Sequence, residues 1–335
     1  MMRKLVLLFV CAFLALPVVG QTTLNGAGAT FPYPVYSKWF SEYGKTHSGV
    51  QINYQSIGSG GGIRQVTAGT VDFGASDMPM TDKQLQEAKT KILNIPTVLG
   101  ADVPAYNIPG VSGEVKFTPE ALAGIFMGKI SKWNDKAITS ANPGMNFPDA
   151  NIIVVHRSDG SGTTFIWTDY LSKVSPEWKS QVGSDTSVKW PIGMGGKGNE
   201  GVAGMIRQLS GAIGYIELIY AVQNKIPYGT VRNSSGTFVK ASLESVTAAA
   251  ASAPKMPADF RVSITNAPGK DAYPISSFTW LLIPEQSKDP ARGKIINDFL
   301  NWMVTEGQKM TAPLSYAPLP DNVVAKVKET IKQIK

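Results

Sequence analysis

Cysteine and histidine are almost absent from this chain. Its 335 residues include one cysteine, Cys11, and two histidines, His47 and His156. A disulfide framework is therefore excluded, and a zinc site built on Cys and His has too few ligands to form. A serine hydrolase lacks its signature as well, because no serine has Gly-x-Ser-x-Gly spacing: Asp159 lies two before Ser161 and Ile57 two before Ser59. Long apolar runs are also missing beyond the N-terminus. The one there, Leu5 to Val19, follows Arg3-Lys4, is broken by Pro17 and ends at the small Gly20. It is shorter than the roughly 20 residues a spanning helix needs. Residues 1–20 are thus expected to be a cleaved secretory signal peptide. Cys11 sits mid-run after Val10, where a lipid-attachment cysteine would follow a small residue.

Removing residues 1–20 removes the cysteine, so the mature chain must hold together by its core. It is long enough to bury two. With Arg3 and Lys4 gone, 30 basic residues face 25 acidic ones, a formal charge of +5. That mild excess suits an anionic ligand, and its lysines are scattered rather than clustered. A nucleic-acid binder would need a basic, aromatic-lined stripe, and the seven tryptophans are dispersed instead.

Strand and helix patterns alternate, which predicts an α/β architecture with mainly parallel pairing. Val50, Ile52 and Tyr54 alternate as a strand, with Ile63 and Val66 on a following helix. Short strands are expected at Val71–Ala75, Ile92–Leu99, Ile152–Val155, Ala212–Glu217 and Trp280–Ile283. Thr81 and Gln84 have capping-box spacing, and Thr118-Pro119 reads as an N-cap with proline at N1. A late helix carries Ile295, Ile296, Phe299, Leu300 and Met303 inward and is expected to end at Gly307. The last, Val323 to Ile334, reads as a packing helix with solvated lysines.

Three segments share one design: small, hydroxyl and glycine residues immediately before a predicted helix. They are Gly26-Ala-Gly-Ala-Thr30-Phe31, Gly58-Ser59-Gly-Gly-Gly62 and Asp159-Gly-Ser161-Gly162-Thr163-Thr164. Each offers backbone N–H groups at a helix N-terminus, where the dipole favours negative charge. One such segment means little, but three together point to an oxyanion site. Arg157 lies at a strand end just before the third, able to grip two oxygens, with Asp159 placed to pair with it from behind. Asp77 follows the strand Val71–Ala75, and strand carboxyl ends are where open α/β sheets bind ligands.

A carboxylate aimed at an anion makes sense when the anion carries a proton. Phosphate near neutral pH does, and sulfate does not. Asp77 would then set selectivity, because a site built for one hydrogen bond rejects analogues lacking it by about 10⁴ to 10⁵. Arsenate fits the same logic. Gly193-Met-Gly-Gly-Lys-Gly198 satisfies G-x-G-x-x-G but follows no clear strand and lacks the Ser or Thr of a phosphate loop, so it reads as a plain loop before a helix. Asn233-Ser-Ser235 matches a glycosylation sequon by chance, and His156 reads as a strand-end residue.

These residues resemble the periplasmic phosphate-binding proteins of bacterial ABC phosphate importers. The likeness runs over the whole mature chain and rests on Gly26-Ala-Gly-Ala-Thr-Phe-Pro32, Gly58-Ser-Gly-Gly-Gly62, Val71-Asp-Phe-Gly-Ala-Ser-Asp77, Arg157-Ser-Asp-Gly-Ser-Gly-Thr163 and Lys189-Trp-Pro-Ile-Gly193. It implies phosphate held by Thr30, the Phe31 backbone, Ser59, Asp77, Arg157, Ser161, Gly162 and Thr163, with Asp159 salt-linked to Arg157. One departure is Gly60, where a second serine is common. The implied fold is the two-lobed periplasmic binding protein fold, type II, with two hinge strands and the ligand between the lobes. Lobe I would comprise 21–97 and 271–335, and lobe II 98–270. The expected partners are phosphate and the membrane permease subunits of an ABC importer, with the protein a periplasmic monomer that uses no cofactor, metal or nucleic acid and is not an enzyme. A receptor for another tetrahedral oxyanion (sulfate, molybdate or arsenate) and a secreted hydrolase are the alternatives.

Overall fold

A computed structural model of the protein describes residues 21–253 and 255–335. The expected signal peptide, with Cys11, lies outside them. No described helix is long and apolar enough to cross a membrane.

Eleven strands form among the described residues: β1 Thr22–Gly28, β2 Val50–Ser56, β3 Phe73–Ser76, β4 Ile92–Asn107, β5 Lys116–Phe117, β6 Ile153–Arg157, β7 Met194–Gly196, β8 Ala212–Glu217, β9 Thr230–Arg232, β10 Phe238–Val239 and β11 Ser276–Pro284. Eight of them make one sheet in the order β2-β1-β3-β11-β4-β8-β6-β7, and β10-β9-β5 make a small second one.

The long strand β4 organises the molecule. Ile92–Ala101 pair with β11, and Asp102–Asn107 pair with β8, so the strand leaves one half-sheet and enters the other between Ala101 and Asp102. Its apolar run suggests only Ile92–Leu99, yet the strand is 16 residues long and buried for all but the last. Small residues, Gly100 and Ala101, let it continue through the narrow waist. The chain returns beside the same point, where Asp102 N–H donates to the Ile275 carbonyl (2.9 Å) just before β11.

Pairing is parallel at the flanks (β1 with β2 and β3; β6 with β7 and β8) and antiparallel in the middle (β11 with β3 and β4; β4 with β8). The expectation of mainly parallel pairing thus fails at the centre, because the two connecting segments cross in opposite directions.

Local chemistry sets the helix starts. Thr81 and Gln84 form the capping box, and Thr118 accepts from Ala121 N–H ahead of Pro119. The late helix, Pro290–Met303, stops before Gly307. Gly307 instead packs against Trp39 and Trp302, where a Cβ would lie 3.3–3.4 Å from either ring, and its carbonyl accepts from the Trp39 indole (2.8 Å). The last helix, Asp321–Ile331, buries Val323, Val327 and Ile331. Five of the seven tryptophans are fully buried, so these are packing residues. Asn233 is buried too, its amide donating to the carbonyls of Gly269, Lys270 and Ala272, which rules out a glycan acceptor there.

Candidate functional site

All three glycine-hydroxyl segments lie at the facing edges of the two half-sheets. Thr30-Phe31 connects β1 to the helix Tyr33–Thr46, Gly58 caps the helix Ser59–Ala68, and Ser161 caps the helix Gly162–Val174. The first N–H groups of a helix have no partner inside it, so Ser59, Gly162 and Thr163 direct theirs out of the helix end. Ser161 Oγ accepts from Thr164 N–H (3.0 Å), which leaves its own proton to donate.

These edges touch. Gly60 N–H donates to the Gly160 carbonyl across the interface (2.9 Å). Gly58, at φ +87°, faces Asp159, where a Cβ would come within 2.3 Å of a carboxylate oxygen. Gly162 fits against Asp77 and Ser59, and a Cβ there would lie 2.5 Å from both. Glycine at both positions is what lets the halves meet. Gly60 is similarly close: a Cβ would stand 3.1 Å from Gly160 Cα, leaving little room for the serine common at that position.

Every residue expected to hold phosphate is enclosed. Thr30, Phe31, Ser59, Asp77, Arg157, Ser161, Gly162 and Thr163 are all buried. Arg157 donates through Nε (2.8 Å) and Nη2 (2.6 Å) to the two oxygens of Asp159, and through Nη1 to Thr163 Oγ1 (3.1 Å). Burial works against the Arg157 charge, but Asp159 keeps its pKa above the ordinary value. Burial likewise opposes Asp159, and Arg157 holds it below the usual carboxylate range. The expected ion pair is therefore present, with the guanidinium fixed from one side.

Asp77 is in a different state. Burial pushes its carboxyl up to about 7, against the Thr279 hydroxyl, the Arg157 charge and the Ser59 hydroxyl, all of which favour the ionised form. Thr279 Oγ1 donates to Oδ1 (2.7 Å), and Ser59 Oγ lies 3.4 Å from Oδ2 while accepting from Asp77 N–H (3.2 Å). One acceptor thus stands among donors.

Several contributors are missed by the sequence reading. Asn199, the second residue of the helix Gly198–Gln208, is buried and donates to both Thr30 and Thr163. Gly198 N–H donates to Asp159 (3.1 Å). The segment read as a plain loop therefore belongs to the site. Its signal was available, because it too is a glycine-rich run ending in a polar residue at a helix start. Tyr220 and Tyr316 donate to the Thr30 (2.6 Å) and Phe31 (2.5 Å) carbonyls, fixing that segment from behind.

At the crossover, Asp102 and Glu217 are buried opposite each other in the β4–β8 pair. Burial first, then the charges of Asp77 and Glu217, raise Asp102 well above its ordinary pKa. His156 is half-buried, stacks on Trp190 (4.8 Å) and bonds the Arg157 carbonyl, a packing role. No group of three or more metal-ligating side chains exists among the described residues.

Comparison with known proteins agrees with this architecture. The model of the PBP superfamily domain matches residues 18–306. The chain is 50% identical over 306 residues to the phosphate-binding protein PstS of Xylella fastidiosa (strain Temecula1), covering 91% of this chain and 83% of that one. It is 47% identical over 327 residues to the PstS of Pasteurella multocida, covering 97% and 94%. A high affinity periplasmic phosphate-binding protein solved with phosphate, PfluDING, superposes with a TM-score of 0.73 at 21% identity, covering 92% of this chain and 93% of that one, a likeness of fold. The fold and site define a binding protein of the PBP superfamily. Within it, the chain belongs to the PstS phosphate-binding protein family.

Proposed function

We propose that the protein captures inorganic phosphate with high affinity outside the cytoplasmic membrane and delivers it to the permease of an ABC phosphate importer. The observation that carries this reading is the buried Asp77 acceptor set among donors from Ser59, Arg157, Thr163 and three helix ends. An oxyanion still carrying a proton matches that arrangement on every side, because its P–OH donates to Asp77 while its other oxygens accept. Phosphate is held by Thr30, the Phe31 N–H, Ser59, Asp77, Arg157, Ser161, Gly162 and Thr163, with Asp159 orienting Arg157.

Lobe I comprises 21–97 with 271–335, and lobe II 98–270. The two separate about the crossing strands to admit the ligand and close over it, which desolvates it and strengthens each bond. The closed form is what the permease reads. Binding and release need no covalent step, so the protein acts as a receptor rather than a catalyst. The apolar N-terminal segment, read as a secretory signal peptide, supports a periplasmic location.

Calorimetric titration of ligand-free protein tests this. One-to-one phosphate binding, with sulfate bound at least tenfold more weakly at pH 8, is expected. Absence of phosphate binding by folded protein would falsify the reading and favour another tetrahedral oxyanion.

A further inference from the structure

The amide of Asn199 makes three side-chain bonds, and together they decide which way two neighbouring hydroxyls must point. Its Oδ1 accepts from Glu217 N–H (2.9 Å), which fixes the orientation of the amide, since a flipped group would set donor against donor. Its two Nδ2 hydrogens then go to Thr30 Oγ1 (2.8 Å) and Thr163 Oγ1 (3.1 Å). Both amide hydrogens are thereby used.

A threonine hydroxyl has two lone pairs and one proton. Thr30 Oγ1 accepts from Asn199 Nδ2 and also from Asn199 N–H (3.2 Å), so both lone pairs are engaged. Thr163 Oγ1 accepts from Asn199 Nδ2 and from Arg157 Nη1 (3.1 Å), with the same result. Each hydroxyl is left with only its proton to offer. Both are buried at the interface between the halves, one on each side.

We infer that Asn199 is a positioning residue for anion capture: it turns Thr30 and Thr163 into obligate donors toward the enclosed ligand and bridges the two halves as they close. The inference rests on the phosphate reading above. A hydroxyl otherwise free to accept or donate becomes selective for an oxygen that accepts. This explains why an uncharged, donor-rich amide stands there: a carboxylate of the same shape would draw both hydroxyl protons to itself.

The test uses the full mature protein, with phosphate binding followed by calorimetry and by phosphorus NMR up to millimolar ligand. Asn199→Ala should weaken binding roughly 30-fold, and Asn199→Asp by roughly 1000-fold or more, from two misdirected donors plus a like charge. Charge alone is separated from donor direction by Thr163→Val. That change should cost roughly 30-fold in the natural chain but less than roughly threefold beside Asn199→Asp, where the hydroxyl already points away. Equal costs in the two backgrounds, or an Asn199→Ala protein within about threefold of the natural one, would overturn the assignment. Should the Asn199 variants melt before titration, Thr30→Val carries the test, and a cost under about threefold overturns it. Failure of the natural protein to bind phosphate would instead remove the functional reading on which this one stands.

Discussion

If Asp77 is the element that tells phosphate from sulfate, its protonation state sets how much discrimination it can supply. Sulfate brings no proton, so it can occupy the site only when Asp77 is itself protonated and donates. Burial pushes the Asp77 carboxyl up to about 7. At pH 8 protonating it costs about 1.4 kcal/mol, or tenfold in sulfate affinity, and at pH 9 about a hundredfold. Phosphate supplies the shared proton and escapes this penalty. Sulfate affinity should therefore fall tenfold per pH unit above about 7 and level off below it. Asp77→Asn should abolish that slope, since an amide offers a donor to sulfate at every pH and keeps an acceptor for P–OH. Phosphate affinity in this variant should change by about tenfold or less, while sulfate at pH 8 improves by at least that much. Calorimetric titrations of both anions from pH 6 to 9 provide the measurement. A sulfate affinity independent of pH in the natural protein, or no sulfate gain in Asp77→Asn, would refute the reasoning.

Thr279→Val removes a donor that holds Asp77 ionised, so the carboxyl pKa should rise further and the break in sulfate affinity move to higher pH in the same titrations. Gly162→Ala adds a methyl that would stand 2.5 Å from Asp77 and Ser59; overpacking of about 1–3 kcal/mol should weaken phosphate roughly 5- to 150-fold and, if the ligand-free halves stand apart as proposed, leave the ligand-free melting temperature nearly unchanged. Asp102 concerns stability. Its folded pKa is raised, so its contribution is fully present below the unfolded value of about 3.9 and is lost by about 1.4 kcal/mol per pH unit until the folded pKa is reached. Asp102→Asn should accordingly raise the melting temperature more at pH 8 than at pH 4. Equal shifts at both would show that the carboxyl does not hold its proton in the fold.

What could be read beforehand follows a physical divide. The three helix starts, the Thr81 capping box, the Thr118 cap and the Arg157–Asp159 pair depend on residues a few positions apart, and each took the expected form. The extent of β4 was hidden because Gly100 and Asp102 interrupt the apolar pattern, and only the packed waist explains why the strand continues. Thr279 reaches Asp77 across 202 positions and Asn199 reaches Thr30 across 169. No local pattern encodes such pairings.

The same divide separates what binds an anion from what chooses one. Helix ends and an arginine attract any oxyanion, and they are local features. Choice requires fixed donor and acceptor directions, which come from neighbours remote in sequence: Thr279 holds Asp77 as an acceptor, and Asn199 holds Thr30 and Thr163 as donors. One of these contacts, Asn199 to Thr30, runs between the two halves. Under the proposed closure, enclosing the ligand would also fix the direction of the Thr30 donor, so a chain locked open should retain the Asp77 acceptor and weak anion attraction while losing affinity for phosphate.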